Sequence, residues 1–259
     1  IMRNTCNWHI FDGNHHLLQE SEEYTSWFDG SRSTEVLEHS LHDNYHQAEH
    51  NRAFFNNRNI LVINVMSSPC SGKTSLLEAS IGILEEYGVG VAVIESNLGT
   101  GNDTNLIRKY GTSVLQITPR VDRHLDAGMI NKAIMELDFD KVDILFMENV
   151  VNFVCPVIFD LGQHLNIVLL SVAEGDDKAS KYPVIFQEAD AVLLTKADLL
   201  PDFDNFSIQS VKRAVCELSD KTDIITLSAK NGIGMDIWVT WLQESLIQYR
   251  SSQHHNMAL

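Results

Sequence analysis

The stretch from Val65 to Ser75 reads VMSSPCSGKTS, and its Gly72-Lys73-Thr74 brings three kinds of donor to one place. A lysine ammonium, a threonine hydroxyl and the unpaired N–H groups of a helix N-terminus are what a chain of phosphates and its magnesium ion require. Lys73 would bridge the phosphates, the Thr74 hydroxyl would ligate Mg2+, and the loop Ser68, Pro69, Cys70, Ser71 and Gly72, with Ser75 behind it, would wrap the oxygens. The usual spacing G-x-x-x-x-G-K-[ST] begins here on Ser67 in place of glycine, and Cys70 fills a middle position where such loops carry glycine. Glycine serves there by taking a positive φ and letting oxygen approach. A residue with a Cβ is disfavoured in that conformation by about 1–2 kcal/mol, so Cys70 is expected to weaken nucleotide binding.

Two later motifs select the base. In AVLLTKADLLP, Thr195-Lys196-Ala197-Asp198 ends a buried strand, where the Asp198 carboxylate can accept hydrogen bonds from N1 and N2 of guanine and the Lys196 stem can cover the ring. Adenine offers no such pair of donors. In LSAKNG, Ser228-Ala229-Lys230 brings the Ala229 amide within reach of guanine O6. Three motifs in this order, each at the carboxyl end of a predicted strand, occupy the edge where doubly wound sheets bind ligands, and they predict GTP and GDP as the nucleotides.

Such placement needs a particular scaffold. The runs ILVINVM, VGVAVIE, VDILFME, NIVLLSV, AVLLT and DIITLS are short, rich in β-branched residues and separated by helical stretches. That alternation is the mark of βαβ units. Residues 59–259 are therefore expected to form one α/β domain, a doubly wound and mostly parallel sheet with helices on both faces. Residues 1–58 are different in composition, polar and holding seven of the eleven histidines, and are read as a His-rich arm followed by a helix. The helix is expected from Val36, with Leu37, Leu41, Tyr45 and Ala48 as its apolar stripe. His39, His42, His46 and His50 form a second stripe, read as solvated; weak metal binding through i, i+4 pairs, or through a loose cluster of Cys6, His9, His15 and His16, is the sharper alternative. Cys216 is expected in the core of its helix, and Trp238 and Trp241 are expected to pack against the sheet.

Charge and cysteine usage limit the partners. Thirty-five acids against nineteen bases give a net charge of −16, the wrong surface for nucleic-acid phosphates or anionic lipid, so neither nucleic acid nor membrane is expected as a partner. Four scattered cysteines with no C-x-x-C pair speak against a disulfide framework and against a zinc ribbon. No apolar run approaches the ~20 residues that span a bilayer, and no basic patch leads into an apolar segment near the start. A soluble, cytoplasmic protein is the expectation.

The strings MENVVNFVCPVIFDLGQ and LLSVAEGDDKASKYPVIF, with HLDAGMI before and LSAKNGIGMDIWVTWL after, closely resemble the hydrogenase nickel-incorporation GTPases, the HypB family, from about Asn51 to Leu246. The resemblance implies a P-loop GTPase that forms a GTP-promoted homodimer and binds Ni2+ or Zn2+. It further implies delivery of nickel to the large subunit of [NiFe] hydrogenase, together with other nickel-maturation proteins. Lys73, Thr74 and Glu148 would carry hydrolysis, Glu148 by supporting Mg2+ or its water. His124 and Cys155 remain from the family's metal-ligand set, and Cys155 lies seven residues beyond Glu148, on a segment expected to respond to the nucleotide. Two ligands are few for one tight site, so completion by a second subunit is expected; Cys155 as a small buried hydrophobe is the plainer alternative. The chain departs from the family pattern at Cys70, at Asn97 for Asp, at Arg123 for Cys and at Val151 for Gly. Two functional expectations follow. One is a GTP-hydrolysing metallochaperone; the other is a hydrolysis-impaired nickel- or zinc-binding or storage scaffold of the same fold.

Overall fold

The computed structural model describes residues 32–96, 112–117, 125–150 and 159–257. Seven strands, β1 (Leu61–Ser67), β2 (Val91–Ser96), β3 (Ser113–Ile117), β4 (Ile144–Val150), β5 (Leu165–Ser171), β6 (Ala191–Thr195) and β7 (Asp223–Thr226), form one sheet in the order β3-β2-β4-β1-β5-β6-β7. Every pairing in it is parallel. The helices are α1 (Arg32–Asn57), α2 (Lys73–Glu86), α3 (Ala127–Glu136), α4 (Lys178–Lys181), α5 (Pro183–Gln187), α6 (Ile208–Leu218) and α7 (Met235–Met257). Two 3-10 turns, Val172–Glu174 and Ala197–Asp202, follow β5 and β6.

A parallel sheet is covered on both faces, so its strands read as continuous apolar runs rather than as alternating ones. Here β1 and β6 are buried at every residue. One face, with Leu61, Ile63, Val65, Val93 and Phe146, packs on α2 and α7. Trp238 is 1% exposed there and donates through Nε1 to Ser80 Oγ at 2.9 Å, so its one polar atom is satisfied inside the core. Trp241 lies stacked on Trp238 at the margin of the same cluster. The opposite face packs Val62, Ile94 and Met147 against Phe55 of α1 and Ile130 of α3, and Val168, Leu170 and Leu194 against Phe186 of α5 and Val211 of α6.

Three sequence expectations change. Strand β3 was not expected, because SVLQI is short and only Val114 in it is buried, so an edge strand leaves almost no periodic signal. Cys216 is exposed, not in the core: the inward stripe of α6 runs through Val211 and Val215, and Cys216 falls one step past it. Tyr45 is 42% exposed, because the packed stripe of α1 runs through Ala48, Asn51 and Phe55 instead. His42, His46 and His50 are exposed, as the solvated reading requires.

Helix α1 ends at Asn57, before the boundary expected at residue 58, yet the compact α/β unit takes in its C-terminal part from Asn44 onward. Two asparagines explain why. Asn44 accepts from the Ala127 amide at 2.8 Å through Oδ1 and donates to the Asp160 carbonyl at 2.8 Å through Nδ2. Asn51, fully buried, donates through Nδ2 to the carbonyls of Ala127 and Leu161 at 2.8 and 3.1 Å. Gly162 follows at φ 92, and a Cβ there would lie 2.7 Å from Asn51 Cβ. The residue must be glycine for α1 to sit this close.

Candidate functional site

The phosphate loop arises where β1 ends. Ser67 is its last buried strand residue, Ser68 to Gly72 turn, and α2 opens at Lys73. Gly72 precedes the helix at φ 91, ψ 23, a left-handed conformation that spares no room for argument about its identity, and no side chain caps the helix. The first N–H groups of α2 therefore point at the loop unshielded by a capping side chain. Cys70 sits at φ 64. The middle of the loop does take the left-handed conformation for which glycine is the natural residue, and the strain expected of Cys70 is carried by this backbone.

Lys73 is 6% exposed and donates to Ser67 Oγ at 2.7 Å, with Glu148 Oε1 3.9 Å from its nitrogen. Burial pushes its ammonium below the usual lysine value, against the opposing pull of Glu148, Glu174 and Cys70. Glu148 lies on β4 in register with Glu95 of β2, which is 1% exposed. Residues in register on adjacent parallel strands project from the same face, so two carboxylates lie side by side there. With the Thr74 hydroxyl at the head of α2 they make an oxygen-rich donor set, which suits a hard cation such as Mg2+.

The base motifs reach the same place. Thr195, at the end of β6, donates from Oγ1 to the Ser71 carbonyl at 2.7 Å. Lys196, itself at φ 58, donates to the Cys70 carbonyl at 2.8 Å. Ser228 Oγ donates to Asp198 Oδ1 at 2.6 Å, and Lys230 Nζ lies 3.5 Å from Oδ2. The Ser228 hydrogen bond, with help from Lys230, holds the Asp198 carboxyl below the usual carboxylate range, so it is an acceptor at neutral pH. The backbone joins too, since Ala197 N donates to the Leu227 carbonyl at 3.1 Å. Ala229 lies between Ser228 and Lys230, three residues beyond the end of β7 at Thr226.

The structure thus gathers Ser68 to Ser75, Thr195, Lys196, Asp198 and Ser228 to Lys230 at the carboxyl edge of the sheet, with Glu148 beside Lys73. His124 and Cys155 lie outside the described residues, as do Asn97, Arg123 and Val151. Among the described residues there is no group of three His, Cys, Asp or Glu side chains that could hold a metal ion. Nor is any helix among them long and apolar enough to cross a membrane.

Sequence reading missed Glu174. The signal was present, since Ser171-Val172-Ala173-Glu174 has the S-x-x-E form of a capping box, and Glu174 Oε2 does accept from Ser171 N at 3.0 Å. Nothing in the sequence says that the same oxygen also accepts from Ser71 Oγ at 3.1 Å.

Residues 61–226 match the family described as CobW/HypB/UreG, nucleotide-binding domain. Among curated proteins, the Hydrogenase maturation factor HypB of Escherichia coli strain K12 is 44% identical over 212 residues, which cover 82% of this chain and 72% of that protein. The crystal structure of HypB from Helicobacter pylori in complex with nickel superposes with a TM-score of 0.73 at 37% identity, over 80% of this chain and 96% of that one. HypB from Archaeoglobus fulgidus gives 0.73 at 31% identity, over 79% and 98%.

Proposed function

Since the chain belongs to the HypB family of the CobW/HypB/UreG nucleotide-binding domains, we propose that it binds and hydrolyses GTP and helps insert nickel into [NiFe] hydrogenase during maturation. The observation that carries the nucleotide half is the direct bonding of the base motif to the phosphate loop: Thr195 to the Ser71 carbonyl and Lys196 to the Cys70 carbonyl. These hydrogen bonds link partners that lie 124 and 126 residues apart in sequence and hold the two motifs side by side, as one nucleotide spanning both would need. In this reading Asp198 and the Ala229 amide select guanine, Lys73 and the α2 N-terminus bind the phosphates, and Glu148 supports Mg2+ or its water. Thr74 and Glu148, with Glu95 adjacent, would hold Mg2+, whose charge offsets that developing on the phosphates.

The nickel half draws support from the nickel-bound Helicobacter pylori relative. Ni2+ is cargo here, or Zn2+ in its place, held by His124 and Cys155 of two subunits in a GTP-promoted homodimer. The receiving partner is the hydrogenase large subunit, reached with other nickel-maturation proteins in the cytoplasm. One observation favours a second reading, a hydrolysis-impaired nickel- or zinc-binding scaffold: the φ of 64 at Cys70, a left-handed conformation strained for a residue with a Cβ in the middle of the phosphate loop.

The deciding experiment is a titration with mant-GDP, with and without Mg2+ and with ATP as competitor, followed by phosphate release from GTP and by nickel titration of the same sample. Guanine-selective binding with measurable turnover supports the metallochaperone. Binding without turnover moves the protein to the scaffold, and equal competition by ATP removes the guanine assignment.

A further inference from the structure

Glu174 ends the turn after β5 and has an ordinary task there, accepting the Ser171 amide at 3.0 Å in a capping box. A cap needs nothing more. Yet the same Oε2 accepts from the hydroxyl of Ser71, 103 residues away in sequence. Ser71 is fully buried and shares its proton between that carboxylate, at 3.1 Å, and the Ser68 carbonyl, at 2.7 Å. One carboxylate oxygen therefore joins the end of β5 to the middle of the phosphate loop. It also brings a second negative charge to the surroundings of Lys73, which already has Glu148 at 3.9 Å.

Shape and charge act here in opposite directions. The two hydrogen bonds keep Ser71 in place, and with Thr195 on its carbonyl at 2.7 Å this residue is fixed from both sides before any ligand arrives. The charge does the reverse. A fixed carboxylate beside a loop that attracts phosphates repels the ligand and competes for the Lys73 ammonium.

Resting on the guanine-nucleotide reading above, we propose that Glu174 is a positioning residue of the phosphate loop, which preserves the loop's shape through its hydrogen bonds and limits nucleotide affinity through its charge. The advantage of such a residue is ready release of GDP, because part of the electrostatic attraction is cancelled before the nucleotide arrives.

Two substitutions separate the roles. Glu174→Gln keeps an oxygen that can accept from Ser171 N and Ser71 Oγ while removing the charge; Glu174→Ala removes both. The full chain and both variants are titrated with mant-GDP and mant-GTP in Mg2+ at low and high salt, with thermal unfolding followed in parallel. E174Q should bind both nucleotides more tightly, by about three- to tenfold at low salt, and the gap should narrow at high salt as screening weakens the repulsion. E174A should bind more weakly than E174Q although it carries the same charge, and GDP should dissociate faster from wild type than from E174Q. If wild type binds but E174Q is no tighter, the proposal is overturned on its own. If E174A and E174Q tighten alike at unchanged unfolding temperature, the shape role is overturned. Wild type that takes up no guanine nucleotide overturns the nucleotide reading and this proposal with it.

Discussion

The ammonium of Lys196 donates to the carbonyl of Cys70 across 2.8 Å, which ties the base motif to the loop residue held at φ 64. Cys70→Gly relieves a left-handed conformation disfavoured by about 1–2 kcal/mol for a residue with a Cβ, less about 0.5–1 kcal/mol for glycine's greater freedom in the unfolded chain. Urea unfolding should therefore show a small gain at most. Nucleotide affinity and hydrolysis should both rise, because glycine takes the left-handed loop conformation without strain and lets the backbone approach oxygen closely. Loss of mant-GTP binding in this variant would mean that the thiol has a role in binding.

Guanine selectivity depends on Asp198 being an oriented, ionised acceptor, and Ser228 at 2.6 Å provides both conditions. Asp198→Asn should weaken GDP at least tenfold, since it replaces an acceptor for two donors by a group that can accept from only one. The same variant should gain affinity for xanthosine diphosphate, whose base carries an acceptor where guanine has a donor. Unchanged GDP affinity would refute the pocket assignment.

Metal and nucleotide should be linked. If His124 and Cys155 from two subunits complete a site, nickel should bind there at less than one equivalent per chain, and exchanging GTP for GDP should change its affinity. Linkage makes the effect reciprocal, so Ni2+ must alter guanine-nucleotide affinity by the same factor. Cys155→Ala and His124→Ala should each abolish the coupling. Arg123→Cys should raise affinity, since it exchanges a repelling cation for a thiolate. Nickel binding that ignores all of these substitutions and the nucleotide would move the site to the N-terminal histidines.

A cut that respects Asn44 removes His39 and His42 without touching the α/β unit, while His46 and His50 lie within that unit. Deletion of residues 1–43 should leave unfolding of the remaining chain cooperative, whereas deletion of residues 1–57 takes away buried Ala48, Asn51 and Phe55 and should abolish it. Asn51→Ala alone leaves the Ala127 and Leu161 carbonyls without their partner and should destabilise by about 2–4 kcal/mol. Urea midpoints decide; a midpoint for Asn51→Ala equal to wild type would show that these bonds contribute nothing.

Acid should weaken the fold through His164. Burial pushes its pKa down from 6.5 to about 4, with Arg52 adding to the shift and Asp160 opposing it. Its Nδ1 accepts from Val62 N at 2.9 Å, so Nε2 carries the proton given to Asn56 Oδ1 at 3.0 Å, and a second proton would break the first bond. Between pH 6.5 and 4 the unfolded chain binds a proton that the folded one refuses, so stability is full above pH 6.5 and falls as pH drops towards 4. The loss is on the order of 2–3 kcal/mol. His164→Gln should be less stable at pH 7.5 but flatter between pH 7 and 5; an equal slope in both proteins would refute the assignment.

The fold and most of the nucleotide site were legible in the sequence because both rest on local rules. A parallel strand buried on both faces is a short apolar run, and ILVINVM or AVLLT can hardly be anything else. Motifs at the carboxyl ends of such strands converge once the sheet is doubly wound, so Lys73, Asp198 and Ser228 could be brought together without coordinates. Even the left-handed conformation at Cys70 followed from the glycine it replaces. What only tertiary structure decided are contacts that no periodicity encodes. Strand β3 exists because the edge of β2 needs a partner, not because SVLQI insists on it. Cys216 and Tyr45 point outward because the angle at which a helix docks selects its buried stripe, and that angle is set by the sheet beneath. Asn44 and Asn51 look like solvated residues of a His-rich helix until the amide of Ala127 and the carbonyls of Ala127, Asp160 and Leu161 are placed against them. Glu174 looks like a helix cap until Ser71 arrives from 103 residues away. A side chain's type states what it can bond to; which partner it meets is decided by the packing of elements distant in sequence, and that information exists only when the chain has folded.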